Sequence, residues 1–366
     1  MNNMNKKWLL GILSVVLLIA GLGMETFYVN LSGVLLTLLL LGIVWKKKRK
    51  LKLPKGLFLY LLFLLIFEIS LFLHDENKGL GFSYFLLYLA GGGFWLLGYN
   101  LKKEIYKYFD KVIVGLGIVF ASLYFVFNFI IPDPEIKALS LFLPYTAYMN
   151  HNNIGDLWAV VLTIIAFYLV KNIKNYWYWP LIILGIFLLY KSQSRSAYVA
   201  LVVGVWYLFN SKGWVEKYKK IFYGLMVVGV ILFLIAGIQK SILFQRQYYI
   251  QAIAGLIDNP MGVGMGNFHT ISDNEKYHIW GLSDFSVWTH NIVLEVLSGL
   301  GVFGIVFVVW LIKVVKDVWE KKDKKTLIYR TVFFCLLTNM MFHSTYFLPA
   351  MLWMWFLSLG LSQTKT

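Results

Sequence analysis

Long apolar blocks separated by short polar stretches dominate this chain. A bilayer core about 30 Å thick takes roughly 20 apolar residues per helix. Against that length the blocks predict about twelve membrane helices, at approximately 8–24, 27–45, 56–73, 83–99, 112–131, 154–170, 177–191, 197–209, 221–238, 291–312, 328–343 and 347–362. Several are short, 197–209 most of all. The first block follows Met1–Lys7, lacks a clear small-residue cleavage site and is succeeded at once by a second block. It therefore reads as a retained helix rather than a removed signal peptide.

Composition agrees with this pattern. Of the 366 residues, 59% are hydrophobic and only 14% charged, against roughly 45–50% and about 25% in soluble domains. An ordinary soluble enzyme, a disordered chain and a fibrous repeat are excluded. The fold class is an all-α polytopic integral membrane protein, residues 1–366 forming one membrane domain. The single cysteine, Cys335, lies in an apolar block and reads as a buried structural thiol.

The net charge of +16 would suggest a nucleic-acid partner in a soluble protein. Placed on the loops, it means something else. With the N-terminus inside, 27 of the 34 Lys and Arg fall on inner segments and seven on outer ones. That asymmetry predicts an N-in, C-in topology with an even number of spans. The block Lys46–Lys50 is a basic anchor to anionic lipid, and no nucleic-acid partner is expected. Two outer loops are long, 132–153 and especially 239–290, which spans about 52 residues and holds His269, His278 and His290. Ordered loops of that length usually carry function.

Candidate chemistry concentrates on the outer side. The chain has 30 Lys but four Arg, and two of the four, Arg195 and Arg246, face outward. A guanidinium suits bidentate recognition of phosphate or carboxylate; the alternative is a surface arginine or an ion pair with an acid such as Asp258. The stretch Asp258–Phe268 is glycine-rich but has no Gly-Lys-Ser/Thr ending, so Gly262 and Gly264 point to a tight turn rather than a nucleotide loop. His290 stands at the mouth of the helix that opens at Ile292, where a neutral imidazole can act as a general base; the alternative is a structural histidine at the membrane interface. Asn291 and Glu295 follow on one face. His151 and Asn152 open the sixth predicted span, with Asp156 just inside it, and His343–Tyr346 form another outer turn. Tyr248, Tyr249, Trp280 and Trp288 offer stacking surfaces for sugars. No metal-binding pattern is present, and neither a metal nor another cofactor is expected.

In order and spacing, several motifs resemble the O-antigen ligase and polymerase family of bacterial cell-envelope glycan transferases. They are Ser194-Arg195-Ser196-Ala197; Arg246 with the glycines of 259–268; His290-Asn291-x-x-x-Glu295 with Gly299, Gly301 and Gly304; and His151-Asn152-Asn153-x-Gly155. They cover roughly residues 148–304. The resemblance implies a C-type glycosyltransferase-like architecture with one large outer loop. It implies metal-independent, inverting transfer of a glycan from undecaprenyl pyrophosphate, at the outer or periplasmic face of the bacterial cytoplasmic (inner) membrane. Arg195 and Arg246 would then bind the donor pyrophosphate and His290 would activate the acceptor hydroxyl. Asn291, Glu295, His151, Asn152, Gly262 and Gly264 would support them. Polymerisation of lipid-linked repeat units into capsule, O-antigen or exopolysaccharide is preferred, since no separate domain for a protein or lipid A acceptor is visible. A ligase serving a different acceptor is the alternative, and a lipid-linked sugar transporter or flippase the second. Expected partners are the lipid-linked donor, an acceptor glycan, the bilayer, and a chain-length regulator or flippase.

Overall fold

The computed structural model describes residues 26–48, 50–74, 76–101, 105, 108–126, 151–172, 174, 176–217, 247–278 and 286–363, together with 15 and 17. Two predicted spans, 8–24 and 221–238, and the loop stretch 132–150 lie essentially outside these residues. Every other predicted span is a helix, wholly or in part: α1 (Thr26–Lys48), α2 (Leu57–Leu73), α3 (Lys78–Asn100), α4 (Phe109–Phe125), α5 (His151–Lys171), α6 (Trp179–Ser192) and α7 (Arg195–Ser211). The long loop 239–290, predicted to face outward, carries α8 (Gln247–Asp258), and α9 (Ile292–Leu300), α10 (Ile305–Trp319), α11 (Leu327–Phe342) and α12 (Pro349–Gln363) follow. No strand occurs among the described residues.

Among the described residues, four stretches are long and apolar enough to cross a bilayer: Phe27–Lys46, Lys78–Asn100, Asn152–Lys171 and Ile292–Trp319. Other helices at predicted spans are shorter, and α12 shows one reason. All fifteen of its residues are buried, so it is a central helix walled by protein. Its backbone touches that of α3, where a Cβ on Gly98 would stand 2.6 Å from the Leu357 carbonyl oxygen. The contact is tied at one end by Trp95 Nε1, which donates to Gln363 Oε1 at 2.8 Å. Around this centre, large apolar side chains point outward, among them Leu35, Leu38, Phe58, Leu61, Ile183, Ile186 and Ile312. Water would penalise such a surface and lipid would not. Cys335 is buried beside Thr163, as expected of a structural thiol.

The predicted continuous span 291–312 is corrected in one respect. It is broken. The chain leaves α9 at Gly301, whose φ is 61° and ψ −146°, passes through a short 3-10 turn at Gly301–Gly304, and resumes as α10. The break is filled by the glycine-rich part of the outer loop, which positions the site described next.

Candidate functional site

The break leaves helix carbonyls without their usual donors, and inside a membrane such groups must be satisfied by protein. The loop supplies the donors. Val263 N donates to Ser298 O at 3.0 Å, Gly264 N to Gly299 O at 2.9 Å, and in return Val302 N donates to Pro260 O at 2.8 Å. Gly262 and Gly264 both have positive φ, 82° and 88°. A side chain on Gly262 would meet the backbone of Gly299 and Gly301. The two glycines are therefore a structural clamp, and His74 adds to it with Nε2 3.1 Å from Gly262 O. Beyond the clamp, Lys276 Nζ stands 2.8 Å from Asp258, and its hydrogen bond holds that carboxyl below the ordinary range. Among the described residues, Lys276 is thus the ion-pair partner found for Asp258.

Just before α9 the chain makes a tight turn through Thr289, His290 and Asn291. His290 adopts the left-handed conformation, φ 55°, which is costly for a residue with a Cβ and must be imposed by its surroundings. Two neighbours impose it. Asn291 caps α9, its Oδ1 accepting from Val293 N and Leu294 N at 2.9 and 3.1 Å, and its Nδ2 donating to Met341 O. Glu295 is 1% exposed. Its Oε2 accepts from Thr289 N at 2.9 Å and from Tyr346 OH at 3.0 Å, with Thr289 Oγ1 3.1 Å away. Asn291 and Glu295, two of the six predicted supporting residues, thus hold the turn that carries His290. The imidazole packs against Tyr248, ring centroids 4.9 Å apart, and faces His343 at 5.6 Å.

A second turn approaches from α6 and α7. Gln193 ends α6 in the left-handed region and Ser194 caps α7, so Arg195 is the first helical residue, exposed at that helix's head. The serines flanking Arg195 both donate to Asp156 Oδ1, Ser194 at 2.9 Å and Ser196 at 2.7 Å. Asp156, on α5, is fully buried. Its other oxygen, Oδ2, lies 2.7 Å from Nδ1 of His343, and neither atom has a hydrogen-bond partner elsewhere among the described residues. Asp156 therefore links the arginine-bearing turn to His343, whose ring faces His290.

Asn152 stands half-buried in the first turn of α5, one turn before Asp156. His151 begins that helix. Arg246 and Trp280 lie outside the described residues, the chain being described again from Gln247. Trp288 spends its indole N–H on Tyr84 OH at 3.1 Å.

Sequence reasoning placed Asp156 and His343 in polar intrusions without joining them. It overlooked Gln247 and Gln251, which are buried beneath α8 with side-chain amide atoms that find no hydrogen-bond partner among the described residues. Only the register of α8 reveals them. No group of three or more His, Cys, Asp and Glu residues is arranged to hold a metal ion among the described residues. An open polar depression lined by Glu76, Asn77, His269 and Asp273 belongs to another part of the surface and includes none of the residues around His290.

Chemically, the assembly offers a constrained imidazole, a second imidazole on a buried carboxylate, and a guanidinium on a helix head. These are groups of the kinds that accept protons and bind anions. Comparison with known families gives a match over residues 180–309, a little over a third of the chain, to the family described as O-antigen ligase. No curated protein matches the chain significantly.

Proposed function

We propose, from the match of residues 180–309 to the family described as O-antigen ligase, that this chain transfers glycans in the membrane and polymerises lipid-linked glycan repeat units. The donor would be an oligosaccharide on undecaprenyl pyrophosphate, used at the outer face of the bacterial cytoplasmic membrane. One observation carries the reading: the turns bearing Arg195 and His290 are joined through Asp156 and His343.

In this reaction the acceptor hydroxyl attacks the anomeric carbon of the donor sugar from the face opposite the pyrophosphate. The new C–O bond forms as the bond to pyrophosphate breaks, and the configuration inverts. His290 takes the hydroxyl proton, as a positioned general base does. Arg195, with Arg246, receives the pyrophosphate and stabilises the charge that develops on it, so the leaving group departs without a metal. Holding both glycans in line supplies much of the remaining acceleration.

The test uses variants Arg195→Ala, Arg246→Ala and His290→Ala at matched protein levels, with glycan chain length in cells as the readout. Loss of long chains in each is expected, and unchanged chains in all three would refute the site. Purified protein given only the lipid-linked repeat unit should build a ladder. Strict dependence on a separate acceptor would instead identify a ligase.

A further inference from the structure

We infer that the Asp156–His343 pair is a second acid–base element of this site, receiving the proton that His290 takes from the acceptor. The inference rests on the transferase reading above. Three features argue for it. Asp156 is fully buried, and its two oxygens are divided between the Ser194 and Ser196 hydroxyls on one side and His343 Nδ1 on the other. A buried carboxylate at Nδ1 fixes the tautomer that carries its proton there and leaves Nε2 as acceptor, while stabilising the imidazolium once formed. Finally, the His343 side chain is 15% exposed and its ring faces that of His290, so the pair is reachable from the site and partly open to water.

The proton balance is simple. The acceptor oxygen loses its proton to His290 as it bonds to the anomeric carbon. The imidazolium of His290 passes a proton to Nε2 of His343, where the carboxylate of Asp156 balances the charge. Water then removes it, and both imidazoles are neutral for the next transfer. Two adjacent imidazoliums would repel each other, so the relay carries one proton at a time. Asp156 is a positioning residue, and through Ser194 and Ser196 it also fixes the head of α7 where Arg195 stands.

The first test is chemical rescue. Membranes containing His343→Ala are supplied with the lipid-linked repeat unit that accumulates when the natural host lacks this protein. Turnover at saturating donor should fall about tenfold to a hundredfold with the donor KM little changed, and added imidazole should restore it. A folded variant with full turnover, or one that imidazole fails to restore, overturns the proposal.

The second test does not require turnover. In purified protein with isotopically labelled histidine, the signal lost in His343→Ala should report a ring protonated at Nδ1 with Nε2 bare. Asp156→Asn should shift it toward the other tautomer. A wild-type His343 protonated at Nε2 overturns the dyad. Wild-type membranes that elongate nothing, beside a His343 ring in the expected tautomer, would instead overturn the polymerase reading.

Discussion

Replacing Gly301 by alanine tests how the glycine-rich loop is fastened to the broken helix. A Cβ there would stand 2.5 Å from Gly262 N, with Met261 C and Pro260 O closer still. All three are backbone atoms, so no rotamer change relieves the clash. The φ of 61° with ψ of −146° is itself a conformation that costs an L-residue about 1–3 kcal/mol. Displacing the loop would sacrifice the bonds Val263 N to Ser298 O, Gly264 N to Gly299 O and Val302 N to Pro260 O, each worth about 0.5–1.5 kcal/mol. Together these predict a loss of about 3–7 kcal/mol in the stability of the loop–helix unit. Thermal unfolding of detergent-purified protein, followed by tryptophan fluorescence, should show a midpoint lower by on the order of 5 °C or more. Gly115→Ala is the control. Nothing lies within 4 Å of its added Cβ, and alanine within a helix is favoured by roughly 0.5–1 kcal/mol. A Gly301→Ala midpoint equal to that of Gly115→Ala would refute the clamp.

Glu295→Ala should strand the buried Thr289 N–H and Tyr346 hydroxyl at about 1–3 kcal/mol each, lowering the unfolding midpoint and releasing His290 from its left-handed turn; Glu295→Gln should recover part of both in the same melt and turnover assays. Ser194→Ala removes the cap that accepts from Ala197 N and one donor to Asp156, for a loss of about 1–2 kcal/mol in the same melt. Because Lys276 depresses the Asp258 carboxyl, the stabilisation from this pair is present above the ordinary carboxyl pKa of about 3.9 and is lost as pH falls through the lower folded value. Limited proteolysis of the outer loop should therefore not vary from about pH 5 to about pH 8 on account of this pair, and Lys276→Gln should bring the Asp258 titration back up toward the ordinary value, as carboxyl NMR would show.

The helices were legible in the sequence because a bilayer imposes a simple length rule on apolar blocks. The block at 197–209, the shortest, proved to be the core of α7, extended by a capped first turn at Ser194 that hydropathy does not detect. The break at Gly301 was not legible. Its flanking residues are as apolar as a continuous span, and only the partner loop shows where the hydrogen-bond ladder is interrupted. His290, Asn291 and Glu295 could be named from spacing, but the division of labour among them could not. Glu295 serves Thr289 and Tyr346, residues separated from it by six and 51 positions. Asp156 and His343, 187 residues apart in the chain, are brought together by the packing of α5 against α11, which no local pattern encodes.

The broken span also bears on how the protein is made. Val263 and Gly264 must already stand beside residues 292–319 when these insert, because the interrupted helix cannot otherwise satisfy its exposed carbonyls in lipid. Translation order meets that requirement, since the loop precedes the helix in the chain. Insertion of this span and docking of the loop should then be a single cooperative event during biogenesis. A defect in the glycines would appear first as failed membrane integration and degradation of the nascent chain.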